Sequence, residues 1–100
     1  MSERRSWADV KARYPKSAAR ERGYRAAKEA YEVGVRVRNA REKAGVSQAE
    51  LARRIGSTQP AIARLEAGGC KPNMGTLSRI ADALGLELRV ELRAKRRASA

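Results

Sequence analysis

Two short helical patterns joined by a tight turn constrain the fold of this chain more than any other feature. Ser47-Gln-Ala-Glu50 is a capping box, in which the serine accepts from the Glu50 amide and the glutamate reaches back to Ser47. Gly56 ends that helix, Ser57 caps the next one, and Gly68 closes it. The apolar positions of both helices are expected in the core: Leu51, Ala52, Ile55, Ile62 and Leu65. The pattern therefore predicts a compact helical pair inside a larger bundle.

Further helical patterns flank this pair. Upstream, a helix over residues 17–32 leads into another over 33–44, with Gly34 as a weak joint between them that costs about 1 kcal/mol relative to alanine. One bent helix fits the same residues. Downstream, Asn73 caps an amphipathic helix with apolar residues at helical spacing. Residues 1–16 have the spacing of one more short helix, with disorder in the absence of a partner as the alternative.

The hydrophobic period changes to two over residues 86–93, where charged residues alternate with Leu86, Leu88, Val90 and Leu92. A single strand leaves its backbone unpaired, and the simplest partner is the same strand of a second copy, antiparallel across a twofold axis. An axis at Val90 places Arg89 against Glu91, whereas an axis at Arg89 brings like charges together. We therefore expect a homodimer through one C-terminal β-strand, with pairing to another protein as the alternative.

The charge and the rare residues narrow the class of function. The chain has 23 Lys and Arg against 11 Asp and Glu, a net charge of +12, which favours a polyanionic partner over a role in solubility alone. With only Cys70 and no histidine, we expect no intrachain disulfide, no metal site and a reducing compartment. The sequence has no glycine-rich phosphate-binding loop and no evident carboxylate pair, so we expect neither an enzyme nor a cofactor. Without an apolar leader or membrane span, the cytoplasm is the expected location.

Two short helices joined in this way fit the major groove of double-stranded DNA. Two stretches also carry a resemblance to a known family: Arg41-x3-Gly45-x-Ser47-Gln48-x-Glu50-Leu51-Ala52-x2-Ile55-Gly56-x2-Gln59-x2-Ile62-x2-Leu65-Glu66-x-Gly68, and Pro72…Thr76-Leu77-x2-Ile80-Ala81-x-Ala83-Leu84-Gly85. The chain resembles the helix-turn-helix of lambdoid phage repressors and their Xre-type relatives over about residues 33–86. The resemblance implies an all-α, lambda-repressor-like helical bundle, here with an N-terminal helical extension and the C-terminal strand.

The resemblance also implies roles for single residues. The positions where the family reads bases are Thr58, Gln59, Pro60 and Arg64. Hydrogen-bonding chemistry agrees, because Gln59 matches adenine N6 and N7, Arg64 matches guanine O6 and N7, and Pro60 would touch a thymine methyl. The resemblance places Gln48 at a phosphate. Further residues are expected at the DNA backbone, with a solvated basic face as the alternative for the charged ones: Ser57, Arg53, Arg54 and Lys71. Arg41 and Glu66 match a structural ion pair.

The layout resembles HigA-type antitoxins, which neutralise RelE/HigB-like ribonuclease toxins and repress their own operon at a palindromic operator. It divides into an extension over 1–32, a DNA-binding domain over 33–85, a dimerisation strand over 86–93 and a basic tail over 94–100. The extension holds all the aromatic residues, which are candidates for toxin contact or for packing on the core: Trp7, Tyr14, Tyr24 and Tyr31. The net positive charge of the extension disfavours contact with a toxin that is itself basic. The alternatives are a stand-alone homodimeric repressor and an interaction adaptor that does not bind DNA.

Overall fold

A computed structural model describes residues 18–95, which contain four helices and no strand. They are α1 (Ala18–Lys43), α2 (Gln48–Ile55), α3 (Gln59–Glu66) and α4 (Met74–Ala83). The all-helical bundle predicted from the sequence is confirmed over this part of the chain. The predicted helix over residues 1–16, with Trp7 and Tyr14, and the tail beyond residue 95 lie outside the described residues.

The first helix is continuous, so the prediction of two helices that meet near Gly34 was wrong. α1 runs unbroken for 26 residues, and Gly34 is buried against the C-terminal end of α3. A Cβ atom on Gly34 would lie 2.6 Å from the carbonyl oxygen of Leu65 and 2.7 Å from that of Glu66. Gly34 therefore permits a close helix crossing, and this packing outweighs the helix-propensity penalty of about 1 kcal/mol.

The turn between α2 and α3 starts at Gly56 as the sequence indicated, but α3 begins one residue later. Gly56 ends α2 in the left-handed conformation with a φ of 70°, and the Ser57 amide still donates to the carbonyl oxygen of Ala52 at 2.8 Å. Ser57 thus completes the end of α2. Thr58 caps α3 instead, with its Oγ1 accepting from the Ala61 amide at 3.2 Å. The prediction of Ser57 as the cap was wrong.

Two other predicted caps are confirmed. Ser47 accepts from the Glu50 amide at the start of α2, and Asn73 caps α4. The second half of the capping box is different, because the Glu50 carboxylate binds Arg53 and Arg54 one turn along the helix. Within α2, two charged donors therefore replace the backbone amide that was expected to hold Glu50.

The core lies where all four helices meet. Its centre is formed by Leu51 of α2 and Ile62 of α3, whose exposed fractions are 0% and 1%. The other buried members of the cluster are Val37, Val46, Ala52, Leu65 and Ile80. The burial predicted for the helical pair is confirmed except at Ile55, which is only half-buried. No helix among residues 18–95 combines the length and the apolar character needed to cross a bilayer.

The C-terminal strand predicted over residues 86–93 is not formed. Residues 86–95 have no regular secondary structure, and Leu86, Leu88, Val90 and Leu92 are exposed. A strand requires a second backbone to pair with, and the described part of the chain offers none. Residues 86–91 instead form one wall of a groove of about 600 Å³, whose other walls come from α1 and α4 at residues such as Val37 and Leu77.

Candidate nucleic-acid interface

Helix α3 buries one face in the bundle and exposes the opposite face to solvent. Ile62, Leu65 and Glu66 point into the bundle, which leaves Pro60 and Arg64, one turn apart, on the opposite face. The predicted base-reading set is therefore exposed: Thr58, Gln59, Pro60 and Arg64. Ala67 continues this face and was not singled out in the sequence, because a small exposed residue carries no chemical signal.

The N-terminal ends of α2 and α3 are joined by their first side chains. Gln59 Nε2 donates to Gln48 Oε1 at 2.7 Å. Each residue starts a helix, so the positive end of a helix dipole lies beside it, while Ser47 and Thr58 cap the amides of Glu50 and Ala61. The sequence assigned Gln48 and Gln59 separate roles, and the structure brings them into contact.

Behind this pair lies the ion pair of Arg41 and Glu66. Arg41 Nε is 2.6 Å from Glu66 Oε2, and Arg41 Nη2 is 3.0 Å from Glu66 Oε1. The third guanidinium nitrogen, Nη1, donates to the carbonyl oxygen of Val46 at 2.8 Å. The hydrogen bond to Glu66 raises the pKa of Arg41 above its ordinary value. Gln48 Nε2 also donates to Glu66 Oε1 at 3.0 Å, so the network reaches the surface.

The basic residues expected at the DNA backbone are already engaged in the chain. Arg53 and Arg54 lie 2.5 Å and 2.9 Å from Glu50 Oε2, and these bonds lower the pKa of Glu50 from 4.5 to about 2. Arg54 also donates to the carbonyl oxygen of Ala83 at the end of α4. The bond from Arg54 to Ala83 holds α2 against α4, whereas Arg53 is bound only within α2 and keeps 73% of its side chain exposed.

Arg64 lies in the last turn of α3, and Lys71 follows in the loop before α4. Lys71 Nζ lies 2.8 Å from Glu29 Oε1 of α1, which lowers the pKa of Glu29. The side chain of Arg64 packs along the backbone at Gly69, where a Cβ atom would lie 2.9 Å from Arg64 Cγ. Arg64 is exposed, and its aliphatic part is supported by this contact. It forms no ion pair within residues 18–95, so its guanidinium is available to read a base.

The two described aromatic residues of the extension lie half-buried on α1. The backbone of Tyr31 is close to Gly68, where a Cβ atom would lie 3.0 Å from Tyr31 Cα. Gly68 has a φ of 80°, a conformation that favours glycine. This contact joins the middle of α1 to the residues that follow α3. Tyr24 lies farther towards the N-terminus of the helix.

Comparison with known proteins agrees with this geometry. The sequence model of the family HTH_3, described as Helix-turn-helix, matches residues 37–90, which is more than half of the 100 residues. The match covers α2, α3, α4 and the end of α1. Comparisons with curated proteins and with solved structures give no significant match. The chain therefore belongs to this family of Xre-like helix-turn-helix DNA-binding domains.

Proposed function

We propose that the chain is a sequence-specific transcription regulator that places α3 in the major groove of double-stranded DNA. The observation that carries this proposal is the hydrogen bond between Gln48 and Gln59, which fixes the N-terminal ends of α2 and α3 beside one exposed face. A helix pair arranged in this way lays its first helix across the phosphates and points the start of its second helix at base edges. The net charge of +12 favours binding to a polyanion.

The proposed contacts divide into two classes. Thr58, Gln59, Pro60 and Arg64 read bases, because they lie at the start and along the exposed face of α3. A second set binds phosphates: Gln48, Ser57, Arg53, Arg54 and Lys71. Arg53 and Lys71 keep most of their side chains exposed despite their ion pairs, so both retain donors for DNA. Arg54, bound to Glu50 and to the carbonyl of Ala83, contributes more to the fold than to the contact.

Arg64 provides the direct test of base reading. The variant Arg64→Ala is expected to lose about 1–3 kcal/mol of binding free energy on the preferred DNA site and to relax the base preference at one position of each half-site. Site selection from a randomised duplex library, followed by fluorescence anisotropy at fixed salt, measures both effects. The matched control is Arg38→Ala, which removes the same charge from α1, where Arg38 pairs with Glu42. An equal loss on all DNA sequences would make Arg64 a phosphate contact.

We propose that the extension over residues 1–32, which includes the first turns of α1, binds a partner protein, a RelE/HigB-like toxin, and that the regulator represses its own operon. The family match begins at residue 37, so the described residues 18–36 form helix beyond the matched domain. Tyr24 and Tyr31 lie half-exposed on that helix, and aromatic side chains are enriched in protein interfaces. Trp7 and Tyr14 belong to the same proposal.

We further propose that the regulator is a homodimer. The exposed large apolar residues of the C-terminal segment support this, since Val90 is 64% and Leu92 is 97% exposed. A second copy covering this segment would remove the apolar surface from water. It would also match the twofold symmetry of a palindromic operator.

Expression of the full chain together with the product of its neighbouring gene tests both proposals. A stable complex with a small ribonuclease supports the antitoxin function, and a lone dimer that binds its own promoter indicates a stand-alone repressor.

In sedimentation velocity, the double variant Val90→Ser and Leu92→Ser is expected to shift the chain towards monomer. The matched control is Met74→Ser, another exposed apolar residue outside the segment. A dimer unaffected by the double variant would contradict the proposed interface.

A further inference from the structure

We propose that the buried ion pair of Arg41 and Glu66 fixes the orientation of the Gln59 amide and thereby selects adenine over guanine at the base that Gln59 meets. Arg41 and Glu66 are then positioning residues for base recognition in addition to their structural role. This inference rests on the proposed DNA-binding function. It is carried by a chain of hydrogen bonds that runs from the ion pair to the surface through Gln48.

In the first step, the negative charge of Glu66 determines the orientation of the Gln48 amide. The Glu66 side chain is only 3% exposed and pairs with the guanidinium of Arg41 through both oxygens. An ionised carboxylate accepts hydrogen bonds and donates none. Gln48 must therefore turn its NH2 group towards Glu66, as the 3.0 Å contact from Nε2 to Oε1 shows. The opposite amide orientation would bring two acceptor oxygens together in a partly buried site.

The second step passes this orientation to the next side chain. With its NH2 group held by Glu66, Gln48 presents Oε1 to Gln59, and this oxygen accepts from Gln59 Nε2 at 2.7 Å. Gln59 is thus oriented by the same rule and keeps Oε1 and one N–H for a ligand. Neither amide is free to rotate without breaking a hydrogen bond to the ion pair or to its neighbour.

The third step concerns the base. Adenine presents a donor at N6 and an acceptor at N7 in the major groove, which complements the remaining oxygen and N–H of Gln59. Guanine presents acceptors at both O6 and N7, so O6 would face the Gln59 oxygen. A glutamine free to rotate would instead be able to turn its NH2 group towards guanine. The ion pair therefore adds discrimination that Gln59 alone would lack.

The variant Gln48→Lys tests this inference in the full chain. A lysine ammonium donates to Glu66 and offers only a donor to Gln59, so the Gln59 amide is expected to reverse and present two N–H groups. Site selection from a randomised duplex library should then show that adenine is replaced by guanine at one position of each half-site, with a preference on the order of tenfold in each protein. The ammonium keeps a phosphate-binding group at this position.

The matched control is Gln48→Met, which has a similar length and no strong donor or acceptor. It is expected to abolish the discrimination between adenine and guanine at that position without creating a new preference. Thermal unfolding by circular dichroism identifies either variant that fails to fold, and the remaining variant then carries the test. If both folded variants keep the wild-type preference for adenine and change affinity equally on all sequences, the inference is wrong. A wild-type chain that binds all sequences equally would instead overturn the proposed function.

Discussion

Replacement of Glu66 by alanine is expected to lower the free energy of unfolding by about 3–5 kcal/mol, because it leaves the Arg41 guanidinium buried without its counter-ion. The side chains of Arg41 and Glu66 are 10% and 3% exposed, so solvent does not substitute for the lost carboxylate. Gln48 loses an acceptor in the same variant. Urea unfolding monitored by circular dichroism measures the change.

An exposed ion pair on the same helix provides the control. Arg38 and Glu42 of α1 pair at 3.1 Å with side chains that are 25% and 44% exposed, and Glu42→Ala is expected to cost no more than about 0.5 kcal/mol. The double variant Arg41→Met and Glu66→Leu should cost less than Glu66→Ala, since no uncompensated charge remains buried. Losses of similar size for Glu66→Ala and Glu42→Ala would show that burial does not strengthen the inner pair.

The second large effect is expected at a glycine. Gly34→Ala should lower the free energy of unfolding by roughly 2–3 kcal/mol, even though alanine is the better helix former. The added Cβ would lie 2.6 Å and 2.7 Å from two carbonyl oxygens of α3, and backbone atoms cannot move aside as a flexible side chain does. α3 would have to shift relative to α1. We therefore expect weaker DNA binding as well, measured by anisotropy beside the urea midpoint.

Gly23 offers a matched comparison within the same helix. A Cβ on Gly23 would have no atom within 4 Å, so Gly23→Ala is expected to stabilise the chain by about 0.5–1 kcal/mol. The two identical substitutions thus have opposite expected signs. Stabilisation by both variants would mean that the crossing of α1 and α3 tolerates a methyl group and that Gly34 has no packing role.

The features that the sequence predicted well depend on residues close together in the chain. The helical pair follows from local spacing and from caps such as Ser47, and the burial of Leu51 and Ile62 follows from helical periodicity. Arg41 and Glu66 could be paired in advance only through the family resemblance. Their contact joins α1 to the end of α3, and no local pattern encodes it.

Two of the predictions that failed depend on atoms of a distant element or of a second backbone, and a third depends on a local competition between two helix ends. Helix propensity describes Gly34 as a weak point, because the carbonyls that require a glycine there belong to α3. The choice between Ser57 and Thr58 as a cap was decided by the end of α2, which uses the Ser57 amide. The strand over residues 86–93 needed a second backbone, which the sequence of one chain does not supply.

The unbroken course of α1 also affects how any protein held by its first turns would be positioned. A helix of 26 residues is about 39 Å long. Its second half contributes Val37 to the core, whereas its first residues are exposed. No break separates the two halves of the helix. A protein bound at the N-terminal end of α1 would therefore be held at one distance and one angle from the DNA-bound domain. The spacing between adjacent operator sites would then decide whether two loaded copies fit side by side or exclude each other.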